Sequence, residues 1–343
     1  MSGARQASVG IIDVAKMAGV SVGTVSNYLN YPDRVSDTLR IKIQSSIDQL
    51  GYERKRPTKA TGRTRMARTI GLVMADIEHS LYTSIFEGAQ EVASNSGVQV
   101  IGMNSYSDKN QQLEAVRHLC QMRVAGILLS SVFDSSEEIA LAEEASIPLV
   151  TLDHDNQNAT AGCTVLENNR AAGEIAAREL IAQGRRRLAF VGHSFESFQA
   201  IADRWSGASR YVETYGHGAS IHRIDSRGLM VEDGQDLARA LLARPESNRP
   251  NGIIAATDFL ACGIINTFTE DGSASIPEDI AVIGMEGDRL DSICSMPLTV
   301  IQAPGDDMGR QAMTQLLDEI EHPASHVHST IALNPALIRR SSC

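Results

Sequence analysis

The 343 residues predict an α/β protein in two parts: a small three-helix module, then a larger two-lobed domain built on doubly wound parallel sheets. Three features carry this expectation. Apolar residues recur at helical spacing in three short runs between Gly10 and Gly51. From Thr69 onward short β-rich runs alternate with helical stretches, and the alternation starts afresh near Leu188. The sign of the charge also reverses: residues 1–68 hold twelve Lys or Arg against five Asp or Glu, a net of +7, whereas the remainder holds 19 basic and 37 acidic side chains, a net of −18.

In the first run Ile11, Val14, Ala15 and Ala18 form one apolar stripe. Gly19 suits the positive φ of a helix end, Val20 buries in the turn, and the Ser21 hydroxyl can cap a second helix. In that helix Val25 and Leu29 pack back on the first. Val22, Gly23, Ser26, Asn27 and Asn30 are left on a small, polar outward face. Ser36 is placed to cap a third helix with Leu39, Ile43, Ile47 and Leu50 on one side and Gly51 at its C′ position. A plain three-helix bundle would show the same stripes. The short turn Ala18-Gly19-Val20-Ser21 fits instead two helices crossing as a helix-turn-helix, which points to DNA. The charge agrees, because Arg54–Arg68 holds seven basic residues and no acidic one directly after the helices. Cations there neutralise phosphates and release counterions, while the acidic remainder repels DNA and confines contact to the amino-terminal module.

Beyond Thr69, residues 69–77, 98–106, 124–131 and 147–153 read as strands separated by helical stretches such as 84–96 and 110–123. A second set follows, with strands at 188–194, 221–225, 251–258 and 280–288 and helices near 200–215 and 235–244. A strand at 297–304 and a helix at 305–322 then return the chain toward the first lobe. Two lobes imply a cleft, and ligands of open parallel sheets bind beyond the carboxyl ends of strands.

Several classes are set aside. The start MSGARQASVG lacks an apolar signal core, and no run of about 18 apolar residues could span a bilayer. The five cysteines (Cys120, Cys163, Cys262, Cys294 and Cys343) are odd in number, scattered and without CxxC pairs. They suggest reduced, mostly buried thiols of a cytoplasmic protein rather than a disulfide frame or zinc site. His326 and His328 stand close together without a third ligand nearby and read as surface residues, so no metal and no cofactor is expected. Gly192-His193-Ser194-Phe195-Glu196 imitates a nucleophile elbow, but Glu196 replaces the glycine that allows the tight turn. Neither a strand-following GxGxxG nor a GxxxxGK[ST] is found, and no enzymatic activity is expected. A solute-binding protein without a DNA role remains the alternative, and it leaves residues 10–56 unexplained.

Asp13-Val14-Ala15, Ala18-Gly19-Val20-Ser21, Thr24-Val25-Ser26, Leu29-Asn30, Val35-Ser36 and Leu50-Gly51-Tyr52 together resemble the amino-terminal signature of the lactose-repressor/galactose-repressor family of bacterial transcription regulators. The similarity continues through Thr69-Ile70-Gly71-Leu72-Val73, Gly126-Ile127-Leu128-Leu129, Ile147-Pro148, Asp258, Pro277-Glu278-Asp279, Ile283-Gly284, Pro297-Leu298-Thr299 and Arg339-Arg340-Ser341, nearly the whole chain. The resemblance implies a helix-turn-helix domain over 1–57, a basic hinge over 58–68, and a periplasmic-binding-protein-like effector and dimerisation domain over 69–343. It also implies a cytoplasmic, nucleoid-associated homodimer on a near-palindromic operator, whose DNA affinity shifts when a sugar-like effector closes the lobes.

Carried over residue by residue, Val22, Gly23 and Asn27 match the positions facing base edges. The Asn27 amide suits bidentate contact with adenine, and the family usually has Arg there, so the operator is expected to differ. Ser21, Thr24, Ser26, Asn30 and Arg40 are expected on phosphates, with Lys55, Arg56 and Lys59 in the basic hinge. Gly10 lacks the hydroxyl usual before the first helix. Pro57 lies inside the hinge, and Thr61 stands where the family places a minor-groove leucine, a poor wedge. In the effector domain Arg204 and Asp258 match ligand-binding positions. His79, Leu81 and Tyr82 occupy a loop that normally carries an Asn-Pro-Phe-Phe-like motif, and Phe195, Trp205 and Glu286 are further candidates.

Overall fold

The computed structural model describes residues 11–30, 35–50, 52, 69–154, 162–193, 195, 196, 198–287 and 293–343, and the backbone alone of Ile11, Ile12, Ser26, Asn27, Leu29, Asn30 and Asp37. The chain divides into two compact units, Met1–Thr64 and Arg65–Cys343. Gly10, Gly51, Lys55, Arg56, Pro57, Lys59 and Thr61 lie outside the described residues.

The first unit contains α1 (Ile11–Ala18), α2 (Val22–Asn30) and α3 (Asp37–Leu50). The expected stripes meet: Val14, Ala15, Ala18, Val25, Val35 and Ile43 are buried together, with Val20, Leu39, Ile47 and Leu50 packed against them. Gly19 has φ +67°, and Val20 N–H donates to the Ala15 carbonyl at 3.0 Å, closing α1. Ser21 Oγ accepts from Thr24 N–H at 3.1 Å and opens α2. The Tyr28 hydroxyl donates to Gln44 Oε1 at 2.7 Å, tying α2 to α3.

The second unit begins with β1 (Thr69–Met74), α4 (Ser80–Asn95), β2 (Gln99–Asn104), α5 (Lys109–Met122), β3 (Gly126–Ser130), α6 (Ser136–Glu144), β4 (Leu149–Leu152) and β5 (Thr164–Glu167). The second lobe follows with α7 (Asn169–Ala182), β6 (Arg187–Gly192), α8 (Gln199–Tyr215), β7 (Ser220–Asp225), α9 (Val231–Leu242), β8 (Gly252–Ala255), α10 (Asp258–Asp271), β9 (Ala281–Gly284) and β10 (Thr299–Gln302). The chain ends with α11 (Gly305–Glu321), β11 (Thr330–Leu333) and β12 (Ala336–Ile338). One six-stranded sheet runs β11-β5-β4-β3-β1-β2, all parallel; the other runs β12-β10-β9-β8-β6-β7, parallel except for β12. The central strands are buried on both faces, as a sheet covered by helices on either side requires.

Each strand expected from sequence forms, and the return at the end is divided. β10 stays in the second sheet beside β9, whereas α11 packs into the first core through Met308, Ala312, Met313 and Leu316. The chain therefore crosses between lobes three times: after Glu167, after Gln302 and after Leu333.

Glycine sets the closest helix approach. A Cβ at Gly173 on α7 would overlap the carbonyl oxygen of Arg204 on α8, and one at Gly207 on α8 would overlap the carbonyl oxygen of Arg170. The reciprocal pair brings the two backbones together and fixes the turn of α8 that carries Arg204. Bidentate Arg339 to Glu179 contacts at 2.8 and 2.7 Å pin the chain end beside α7.

None of the five cysteines is in a disulfide; Cys163 and Cys262 are buried and the others half-buried. No helix among the described residues is long and apolar enough to cross a membrane.

Nothing lies within 4 Å of a Cβ built at Gly19, so Gly19→Ala tests the positive φ alone. The substitution is expected to cost about 1–2 kcal/mol in the first unit. Hydrogen exchange of the α1–α3 amides in increasing denaturant measures it; an unchanged opening midpoint would contradict the conformational account.

Candidate functional site

At the start of α2, Ser21, Val22 and Gly23 are exposed, with Val22 at 42%, and Thr24 is half-buried. An apolar valine left this open beside two hydroxyls makes a surface suited to a groove rather than to packing. Ser21 Oγ and Thr24 Oγ1 lie 2.8 Å apart, a hydroxyl pair ordered by the cap. Arg40 is half-buried, its Nε donating to the Val35 carbonyl at 2.8 Å, so it also holds the chain entering α3. The side chains of Ser26, Asn27 and Asn30 lie outside the described residues.

In the second unit the carboxyl ends of the first sheet's strands converge on polar groups. Arg204 is 3% exposed. Its Nε donates to Asn169 Oδ1 at 2.6 Å, Nη1 to the Ala256 carbonyl at 3.0 Å, and Nη2 to Glu167 Oε2 at 3.0 Å. It is thus a buried bridge between lobes rather than a surface ion pair. Burial alone would lower its pKa, but Glu167, Glu286 and Asp153 around it raise it instead.

Asp258 is fully buried at the start of α10, where Thr257 is the N-cap. Its carboxylate accepts the backbone N–H groups of Glu286 (3.2 Å) and Gly287 (2.8 Å), so it shapes the loop after β9. That loop presents Glu286 Oε2 to Nδ1 of His79 at 3.2 Å, with both side chains largely buried. His79, the residue before α4, also meets the rings of Tyr82 (6.4 Å) and Phe259 (5.4 Å) edge-on. His79 belongs to the first lobe and Glu286 and Phe259 to the second, so this cluster is a second bridge. Phe195 and Trp205 pack on Phe190 at 5.8 and 5.9 Å, and Trp205 serves the second core.

Asp153 and Glu167 went unnoticed in the sequence, although Asp153 ends an expected strand and that position was the available signal. Burial, then Glu167, push the Asp153 carboxyl up to about 7 despite Arg204 and a hydrogen bond from Tyr82. Burial raises Glu167 as well, with Arg204 pulling it back, and burial together with Asp153 and Glu286 lifts Tyr82 well above the usual phenol. Asn104 Nδ2, Ser130 Oγ, Asp153 Oδ1 and Glu167 Oε1, at the ends of four strands, are buried without a hydrogen bond.

His326 corrects an expectation. Its side chain is 3% exposed, against Asp318 and Glu319 of α11, and a third candidate ligand, Glu319, does lie beside His326 and His328. Ser194 of the elbow-like segment is outside the described residues.

Residues 10–55 match the family described as bacterial regulatory proteins, lacI family, and residues 177–343 match the periplasmic binding protein-like domain. The chain thus carries a lacI-family helix-turn-helix domain and, after it, a periplasmic-binding-protein-like domain. It is 26% identical over 334 residues to the HTH-type transcriptional repressor PurR of Photobacterium profundum, covering 97% of this chain and 98% of that one. Among solved structures, the transcriptional regulator CelR–cellobiose complex superposes with a TM-score of 0.70 at 24% identity, over 98% of this chain and 100% of that one. The lac repressor dimer bound to operator and the anti-inducer ONPF gives 0.71 at 22%, over 98% and 99%. These two likenesses establish the fold.

A carboxyl raised from 3.8 to about 7 in the folded state holds a proton that the unfolded chain has lost between those values. Stability from Asp153 therefore falls as pH rises through that window and levels off above it, by an amount on the order of 4 kcal/mol. Relative to the natural chain, Asp153→Asn is expected to gain stability steadily from about pH 4 to 7. Chemical unfolding of both proteins across that range measures it; a pH-independent difference contradicts the assignment.

Proposed function

We propose that this protein is a repressor of the lacI family. It holds a near-palindromic operator as a homodimer, through a helix-turn-helix domain over 1–57 and a basic hinge over 58–68, and releases or tightens on it when a small neutral polyol, sugar-like in chemistry, binds between the lobes of 69–343. The observation that carries the ligand class is the set of buried oxygens without donors, Ser130 Oγ, Asp153 Oδ1 and Glu167 Oε1, at the carboxyl ends of three adjacent strands. Buried acceptors left unpaired cost about 1–3 kcal/mol each, which a ligand rich in O–H donors recovers. Arg204 already donates to three acceptors and its charge is paired with Glu167, so an anionic ligand is disfavoured. The polyol satisfies the first lobe's strand ends and competes with the His79 to Glu286 contact, biasing one closure state over the other. The regulator acts from the cytoplasm without enzymatic activity.

On DNA, Ser21, Thr24, Ser26, Asn30, Arg40, Lys55, Arg56 and Lys59 are assigned to the phosphate backbone, and Val22, Gly23 and Asn27 to base edges. Asn27→Ala is expected to lower discrimination between operator and nonspecific DNA by roughly 1–3 kcal/mol. Competition shift assays at fixed salt report it, and equal losses on both DNAs would move Asn27 to the phosphate group. Deleting residues 1–68 should abolish DNA binding and leave ligand binding intact; retained DNA binding rejects the assignment.

The ligand is tested by thermal shift with neutral sugars, sugar acids and purines, each hit being retested for its effect on DNA affinity. A neutral sugar at 100 times its Kd stabilises by about 2.7 kcal/mol. Glu167→Gln should weaken it. Binding by sugar acids alone would overturn the polyol assignment while leaving the DNA role standing.

A further inference from the structure

Away from the cleft, the residues leading into β5 and β11 meet the end of α11 in a cluster of ligating side chains. His326 and His328 precede β11 two residues apart, a spacing that places both on one side of an extended chain. Val327 between them is 79% exposed. Glu319 on α11 faces both rings: its Oε1 lies 3.4 Å from His328 Nε2 and its Oε2 4.0 Å from His326 Nε2. One ligand atom from each of the three residues lies within 4.8 Å of the others. Cys163, the residue before β5, brings its Sγ to 3.2 Å from the same His326 Nε2.

We propose that Glu319, His326, His328 and Cys163 form a structural site for a divalent transition ion of the zinc class. Ligands at about 2.0–2.3 Å around tetrahedral zinc stand about 3.4–3.6 Å apart. The Cys163–His326, His328–Glu319 and His326–Glu319 pairs stand 3.2, 3.4 and 4.0 Å apart, and Cys163, outside the three-residue group that lies within 4.8 Å, joins it through His326, so its thiolate must swing in as the ion binds. Two imidazoles, a thiolate and one carboxylate select such an ion over calcium or magnesium, which take oxygen alone. The histidine bearing the contested nitrogen is already oriented, because His326 Nδ1 pairs with Asp318 Oδ2 at 2.7 Å. That carboxylate–histidine arrangement holds the ring and leaves Nε2 toward the cluster. Glu319 Oε2 is buried with no hydrogen bond, an acceptor that a cation would satisfy. Uptake displaces the thiol proton of Cys163 and needs both rings neutral. The ion staples the end of α11 and the entry to β11, neighbours in sequence, to the entry of β5, 163 positions away.

The test uses the untagged, metal-stripped full chain titrated with Co(II), then Zn(II). One equivalent of cobalt should bind with the visible bands of a tetrahedral centre and a thiolate-to-cobalt charge-transfer band. Cys163→Ser should lose the charge-transfer band, and Glu319→Gln and the exposed-loop variant His328→Ala should each bind about tenfold more weakly or worse. Asp318→Asn should keep the spectrum and weaken affinity roughly ten- to a hundredfold. Circular dichroism verifies that each variant is folded. Uptake no greater than that of the His326→Ala/His328→Ala double variant, cobalt bound without the charge-transfer band, or undiminished affinity in His328→Ala overturns the site.

Discussion

The second unit is organised around one buried guanidinium. Arg204 uses three nitrogens on three partners from different parts of the chain: Glu167 at the end of the first lobe's β5, Asn169 just past the first crossing, and the Ala256 carbonyl beyond β8 of the second lobe. Only the planar five-donor fork of arginine can satisfy acceptors in three directions from one position; a lysine ammonium would leave the planar pattern unmet. Its helix reaches this depth because Gly173 and Gly207 let α7 and α8 touch backbone to backbone. A buried ion pair of this kind is weak evidence for net stability, since desolvation offsets much of the attraction. Its value lies in geometry: it fixes where the ends of β5 and β8 stand relative to each other.

That placement sets the electrostatics of the cleft. One guanidinium faces Glu167, Glu286 and Asp153. Glu167 takes the paired contact with it, and Asp153, deeply buried beside Glu167, keeps its proton to about pH 7. A neutral carboxyl offers both a donor and an acceptor, and so does the Tyr82 hydroxyl beside it. The cleft is therefore a hydrogen-bonding surface more than a charged one. The Asp258 carboxylate gives the same economy to the opposite wall, where two backbone N–H groups fix the loop that carries Glu286.

How much of this the sequence foretold depends on whether the signal was local. The first unit was legible because its stripes, its positive-φ glycine and its serine cap are all encoded within a few residues, and Val14, Val25 and Ile43 pack as the spacing demands. The strands 69–74, 126–130 and 281–284 were legible as buried apolar runs. The sequence does not mark β5, because its four residues Thr164–Glu167 are too few to carry a period, hold only two apolar side chains and end on a buried carboxylate. Arg204 and Asp258 are marked by the resemblance as ligand-binding positions, and what the sequence does not show is their partners within the fold, 37 residues away at Glu167 and 28 at Glu286. The same non-locality hides Cys163 from His326, because 163 positions separate the thiol from the imidazole it meets, whereas Glu319, seven positions before His326, is within local reach and marked by nothing but its charge. Periodicity reports which face is buried, never which polar groups find each other across a fold.

Motion between the lobes is constrained by the same non-local bonds. Of the three crossings, the first and third are joined: Asn168 N–H donates to the Leu333 carbonyl at 2.8 Å, and its side-chain amide donates to Asn334 Oδ1 at 3.0 Å. The Asn168 carbonyl oxygen of the side chain meanwhile accepts from Ala171 N–H at 3.1 Å and caps α7. A rotation of one lobe must therefore be absorbed by paired strands acting together, with the helix start carried along. At the second crossing Ala303 N–H donates to the carbonyl of Glu286 at 3.2 Å, so that connection is tied to the loop bearing the His79 partner. Hinges work when a few terminal residues take up the φ and ψ change. Here those residues are hydrogen-bonded to the walls of the cleft, so any change at the His79 to Glu286 contact reaches a crossing directly through backbone, without needing a longer path through the packed cores.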